Sequence, residues 1–144
     1  PILNHHISEG AKKRGLLINV VDQPSDCNFI VPSILRRGDF LISVSTSGKS
    51  PALSKKVRVE LEKDFGSEYG SFLILMGHLR KEILGKGLSS DEKRRIFHEL
   101  VHSIILDAIG RKDWNEVAII INKILQTHFS QEDITALIHV PLIE

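Results

Sequence analysis

Apolar positions follow two rhythms along this chain, and the rhythm changes near residue 50. Ahead of that point they come in short, mostly apolar runs: residues 16–21, residues 29–35 and Phe40–Val44. Runs of this length, rich in Ile, Val and Leu and bounded by Gly, Pro, Asp and Ser, predict strands. Residues 1–13 instead predict a short helix, with Ile2, Leu3, His6, Ile7 and Ala11 on one side and Gly10 and Gly15 loosening its end. A helix followed by an apolar strand over 16–21 reads as a piece of a parallel sheet, the strand delivering Asp22 to its C-terminal end. The runs 29–35 and 40–44 are joined by Arg36-Arg37-Gly38-Asp39, a hairpin turn. Pro32 cannot donate to a ladder, so the first of these strands is expected at an edge. Edges of this kind invite pairing with another chain, which predicts a homodimer.

From residue 50 onward the spacing is helical. Pro51 suits a first helical position, and Leu53, Val57 and Leu61 follow at helical spacing to an end near Gly66. A second helix is expected over 67–84, with Tyr69, Phe72, Leu73, Met76, Leu79 and Ile83 inside. Ser89 and Glu92 form a capping box for a third, whose stripe Ile96, Phe97, Leu100, Val101, Ile104, Ile105 and Ala108 ends at Gly110. Asp113 caps a fourth, with Trp114, Val117, Ala118, Ile121, Ile124 and Leu125 inside. Ser130 and Asp133 start a short last piece over 134–138. Helices joined by short polar turns predict a small bundle.

Composition narrows the function. The 144 residues are 42% hydrophobic and carry a net charge of +1, which supports a globular core and gives no basic field for nucleic acid. Cys27 is the single cysteine, so no intramolecular disulfide forms; with no signal peptide and no run of about 18 apolar residues, the expected setting is the cytoplasm, without a membrane. Cys27 sits by Phe29 and Ile30 and reads as a packing residue rather than a nucleophile.

Three motifs carry candidate chemistry. Gly48-Lys49-Ser50 ends like a P-loop, but its first glycine would fall at Ser43, so the loop cannot wrap a phosphate chain. What survives is an anion site in the turn Ser45-Thr46-Ser47-Gly48-Lys49-Ser50, which precedes a helix; Ser50 alone also has the plainer reading of an N-cap. His98-Glu99-Leu100-Val101-His102 matches H-E-x-x-H and places two imidazoles one turn apart. A metallohydrolase needs a third ligand, and Glu116, the nearest downstream candidate, falls on another helix at short spacing; the two histidines also flank an apolar stripe, where a solvated face accounts for them. No metal is therefore assigned. Asp22, after its apolar run, is either a turn residue or a proton acceptor.

Asn19-Val20-Val21-Asp22, the segment from Cys27 to Arg37 and the turn Ser45-Thr46-Ser47-Gly48-Lys49-Ser50-Pro51-Ala52-Leu53 together resemble three linked motifs of the siroheme synthase family. These are NAD-dependent precorrin-2 dehydrogenases and sirohydrochlorin ferrochelatases. The match is dense over 3–61 and loose beyond. The resemblance implies an α/β remnant of a Rossmann-like domain over 1–28, a β-hairpin dimerisation and substrate segment over 29–49, and an all-α helical bundle over 50–144.

It further implies oxidation of precorrin-2 to sirohydrochlorin with NAD, and ferrous iron as substrate if chelation is retained. Asp22 would be the catalytic base, while Asn19, Val20 and Val21 would lie near the cofactor. Ser45, Thr46, Ser47, Gly48, Lys49, Ser50 and Arg36 would hold the tetrapyrrole carboxylates, with Arg37 a further candidate. Ser47 stands where the family often has glycine, which adds bulk to the turn. No G-x-G-x-x-G occurs in these residues, so the glycine-rich turn is expected upstream of Pro1 and the chain alone should bind NAD poorly. The rival readings are a non-catalytic helical interaction module carrying an α/β stub, and an H-E-x-x-H zinc hydrolase.

Overall fold

The computed structural model describes residues 2–139; the expected helical start at Pro1 and the expected tail at 140–144 lie outside them. The elements run α1 (Ile2–Lys13), a 3-10 turn (Pro24–Asp26), β1 (Ser33–Arg37), β2 (Phe40–Val44), α2 (Pro51–Asp64), α3 (Glu68–Gly85), α4 (Ser90–His102), α5 (Ile105–Gly110), α6 (Trp114–Leu125) and α7 (Gln131–His139). β1 and β2 form one two-stranded antiparallel sheet. Two compact units emerge from the packing: residues 2–35 with 41–64, and residues 36–40 with 65–139. This division does not follow the three sequence segments, since α2 groups with the first unit. Among the described residues no helix is long and apolar enough to cross a membrane.

In the first unit the expected strand over 16–21 is absent. Leu17 is 74% exposed and Val21 78%, because a strand apolar on both faces is buried only when neighbours flank it, and among the described residues no strand pairs with this run. The stretch is held instead by single bonds. The Ile18 carbonyl accepts from the Asn28 and Phe29 amides, and the Asn28 side chain bridges Ile18 N and Leu16 O. Helix α1 also presents a different face from the one expected. Ile2, Leu3 and Ile7 are exposed, whereas Ser8 is fully buried.

The hairpin forms, but its first strand starts later than expected, at Ser33, leaving Pro32 outside the ladder where its missing N–H costs nothing. The loop is two residues, Gly38 and Asp39, with a positive φ (62°) only at Gly38, the glycine-first pattern of hairpin turns that match strand twist. In the second unit this hairpin tip packs on the start of α3. Arg37 Nε donates to the Phe65 carbonyl at 3.1 Å, and Phe40, Phe65 and Tyr69 pack together with ring centroids 4.9–5.7 Å apart, Phe40 stacked on Phe65 and Tyr69 tilted against both. Arg37 is thus a structural strut. A Cβ on Gly70 would lie 2.7 Å from the Arg37 carbonyl oxygen, so glycine is what lets the two backbones meet.

The remaining helices bury Leu75, Leu79, Ile83, Leu100, Ile105, Val117, Ile121 and Ile134 in one core. Of the residues expected inside these helices, Leu73, Val101 and Ile104 are exposed. The Ser89–Glu92 capping box is formed as expected. The hydroxyl and backbone N–H of Ser89 hold the Glu92 carboxylate below its usual pKa. That contribution is present above the ordinary carboxylate range and is lost as pH falls through the lowered value.

The single helix expected from the Ser89 cap to Gly110 breaks at Ser103. Its hydroxyl donates to Leu100 O and accepts from Ile105 N, offering the backbone a local alternative to the helical ladder. Asp113 caps α6 by accepting from Glu116 N, and Lys86 Nζ donates to Leu125 O at the other end. The last piece is longer than expected, running Gln131–His139.

Candidate functional site

The first unit carries two polar turns. In the first, Gln23 N donates to Val20 O, closing a turn in which Asp22 has φ 59° while Val21 does not take a positive φ. A positive φ at the third position belongs to type II turns, where glycine or Asn is usual. Asp tolerates it better than most side chains, and non-glycine residues held there are enriched at functional positions. Asp22 is exposed, and among the described residues its carboxylate takes no hydrogen bond or ion pair, so it is not serving as a cap. Cys27 is engaged in this turn: Val20 N donates to its Sγ at 3.1 Å, and Sγ lies 3.4 Å from the carbonyls of Val20 and Gln23. Neighbouring Asn19 donates from Nδ2 to Phe29 O at 2.9 Å, Val20 has both backbone groups against Cys27, and Val21 faces solvent.

The second turn, Ser45 to Ser50, folds tightly. Lys49 N donates to Thr46 O across Ser47 (φ 52°) and Gly48 (φ 76°), so both central residues are left-handed. Asn-Gly and Gly-Gly are the usual occupants of such a turn, so Ser47 is the less common choice. Ser47 N donates to Ser45 Oγ, Ser50 N to Thr46 Oγ1 and Leu53 N to Ser50 Oγ. The turn thus satisfies several of its own amides, those of Ser47, Lys49 and Ser50. The hydroxyls of Ser45, Thr46 and Ser50 are used as acceptors and retain their O–H as donors, so the turn offers hydroxyl donors with exposed Lys49 beside them.

Residues 28–30 link the two turns. The Phe29 carbonyl holds Asn19, and the Ile30 side chain would meet a Cβ on Gly48 at 3.6 Å. Arg36 is exposed and belongs to the second unit. Sequence reasoning missed the partners of the first turn, His5, Ser8 and Asp26. The signal available was the polar spacing His5, Ser8, Lys12 on α1.

His98 and His102 lie on the last turns of α4, both exposed, with ring centroids 4.1 Å apart. They line a cavity of about 610 Å³ with Glu99, Ile119, Ile120 and Lys123 among its walls. The Glu116 carboxylate pairs with Arg111. Among the described residues no group of three or more His, Cys, Asp or Glu could hold a metal. Purified protein is expected to carry no stoichiometric zinc by elemental analysis. Replacing both histidines by alanine should change stability by under about 0.5 kcal/mol, as surface substitutions do. One zinc per chain, lost in the double variant, would reverse this.

The family profile described as putative NAD(P)-binding matches residues 1–33, and the one described as sirohaem biosynthesis protein central matches residues 37–63. The first contains the Asp22 turn and the second the Ser45 to Ser50 turn. The chain is 35% identical over 107 residues to the siroheme synthase of Vesicomyosocius okutanii, covering 74% of this chain and 23% of that protein. It is 39% identical over 98 residues to the siroheme synthase of Photorhabdus laumondii, covering 68% and 21%. The chain therefore spans less than a quarter of the length of these relatives. A solved precorrin-2 dehydrogenase, SirC, shares the fold with a TM-score of 0.64 at 19% identity, over 83% of this chain and 60% of its own. The motif residues, the two profiles and these identities agree, and the chain belongs to the siroheme synthase family.

Proposed function

We propose that the protein oxidises precorrin-2 to sirohydrochlorin in siroheme biosynthesis, using NAD. The observation that supports this most is Asp22, a solvent-facing carboxylate in a left-handed turn, within the segment matched by the NAD(P)-binding profile. NAD, when bound, supplies the acceptor for the hydride. Precorrin-2 gives up a hydride and a proton, and Asp22 takes the proton. Asn19, Val20 and Val21 fit the nicotinamide end only. Val21 offers an apolar contact and Asn19 Oδ1 an acceptor, while no glycine-rich turn for the pyrophosphate occurs in these residues.

The substrate's carboxylates are held by the hydroxyls of Ser45, Thr46, Ser47 and Ser50 with Lys49, and Gly48 keeps the turn small. Arg36, in the second unit, is a candidate through the family resemblance alone, its planar two-pronged donor suited to a carboxylate. Ferrous iron is a second substrate if chelation is retained, with Asp22 accepting one of the two protons that iron displaces from the pyrrole nitrogens and water carrying away the other. In this reading residues 1–28 serve the cofactor, 29–49 the substrate and the dimer, and 50–144 supply the helical support, in the cytoplasm. The test is to supply NAD and precorrin-2 anaerobically to the protein at its full natural length. NADH and sirohydrochlorin should form one for one; no precorrin-2-dependent NADH would overturn the proposal.

A homodimer joined through the hairpin region is part of the same reading. Val31, just before β1, is 61% exposed, and Ile34 and Leu41, each 44% exposed, lie on a two-stranded sheet whose outer edges have no strand partner among the described residues. Val31→Lys is expected to weaken association without unfolding the chain, because the site is solvent-facing. Sedimentation showing a micromolar monomer, or association unchanged in Val31→Lys, would remove the dimer.

A further inference from the structure

Helix α1 packs on the Pro24–Asp26 turn through polar groups. His5 Nδ1 and Asp26 Oδ1 are 2.8 Å apart, the fully buried Ser8 hydroxyl donates to the Asp26 carbonyl, and Lys12 Nζ donates to Ser25 O at 3.3 Å. Positions 5, 8 and 12 share one face of a helix. Asp26 is only 8% exposed. A turn needs no buried carboxylate for its own geometry, and such a group is costly unless it is paired. Both the side chain and the carbonyl of Asp26 are nevertheless gripped by α1.

The grip continues toward Asp22. Asp26 N donates to Gln23 O, Cys27 N to Pro24 O and Gln23 N to Val20 O, while Cys27 Sγ bridges Val20 and Gln23. Residues 20–27 are therefore one hydrogen-bonded piece whose anchorage to the helix is His5, Ser8 and Lys12. Asp22 sits within it at a positive φ with no side-chain bond of its own among the described residues. Its placement depends on the backbone around it.

We infer that His5, Ser8 and Asp26 form a latch that positions Asp22 for proton transfer. These are positioning residues, and the inference rests on the reading of Asp22 as the base. Without His5 the Asp26 carboxylate is left buried and unpaired, so the turn shifts to hydrate it and Asp22 moves with it. A misplacement of about 1 Å can cost about 10²-fold in rate, so His5→Ala should lower kcat by about tenfold to a hundredfold with KM for NAD unchanged. His5→Asn, whose side-chain N–H can take the place of Nδ1–H, should recover most of the loss.

The test has two arms. In this chain, hydrogen exchange should be faster at the amides of Gln23, Asp26 and Cys27 in His5→Ala and in Ser8→Ala, while amides of α3 and α6 keep their protection. In the protein at its full natural length, His5→Ala should add little to the loss already caused by Asp22→Asn, because the latch acts only through that carboxylate. Exchange and kcat within twofold of wild type in His5→Ala, with Asp22→Asn inactive, would overturn the latch alone. Losses that multiply in the double variant would also overturn it, by assigning His5 a role independent of Asp22. Full activity in Asp22→Asn would instead remove the base, and the latch's catalytic purpose with it.

Discussion

Asp22→Asn, made in the protein at its full natural length, is expected to lose about 10² to 10⁴ of its precorrin-2-dependent NADH formation, the usual contribution of a positioned base. The substitution suits this position. Asp22 has φ 59°, and Asn is among the side chains that best tolerate the left-handed region, so the turn closed by Gln23 N and Val20 O should survive. Asn keeps the size and polarity of Asp but cannot take up the proton. Alanine would be a poorer probe because it would strain the backbone and remove the base together. Fold, association and NAD affinity should stay near wild type. Activity within about threefold of wild type, read as NADH appearance under anaerobic conditions, would take Asp22 out of the mechanism.

Gly70→Ala should destabilise the second unit by about 1–3 kcal/mol, the usual cost of overpacking. Helix propensity predicts the opposite sign, since alanine in a helix interior is favoured over glycine by about 0.5–1 kcal/mol. Packing decides the matter. The new Cβ would stand 2.7 Å from the Arg37 carbonyl oxygen and 3.1 Å from its carbon. That backbone has little room to retreat, because Arg37 Nε holds the Phe65 carbonyl and Phe40 packs on Phe65 and Tyr69. Gly85→Ala is the control. It ends the same helix with nothing within 4 Å of the added Cβ, so it should be neutral or stabilising by up to about 1 kcal/mol. Urea midpoints of the two variants should move in opposite directions. A Gly70→Ala variant as stable as wild type would show that the hairpin tip does not approach α3 this closely.

Hydrophobic spacing and cap chemistry determined most of the helices. The box of Ser89 and Glu92, the Asp113 cap and the stripe through Val117, Ile121 and Leu125 are local signals, each complete within about one to three turns, and all are present as expected. The hairpin was equally legible, because Gly38 supplies the one positive φ its two-residue loop needs. Residue type alone drew attention to Asp22 and to the hydroxyl-rich turn, while their assigned roles, and those of Asn19, Val20 and Val21, came from the resemblance to the siroheme synthase family.

Tertiary structure alone decided the rest. Residues 16–21 are apolar enough for a buried strand, yet strand pairing is non-local, and with no strand partner among the described residues the run joins no sheet and leaves Leu16, Leu17 and Val21 exposed. The break at Ser103 turns on one hydroxyl choosing Leu100 O and Ile105 N over water, a choice that spacing does not encode. The turn from Ser45 to Ser50 carries its hydroxyls in its sequence, but which amides they satisfy depends on the left-handed backbone at Ser47 and Gly48. The pairing of His5 and Ser8 with Asp26 joins residues 21 and 18 apart along the chain. Such contacts arise only once a helix face and a turn are brought together, because a buried carboxylate is tolerated only where its partners arrive with it.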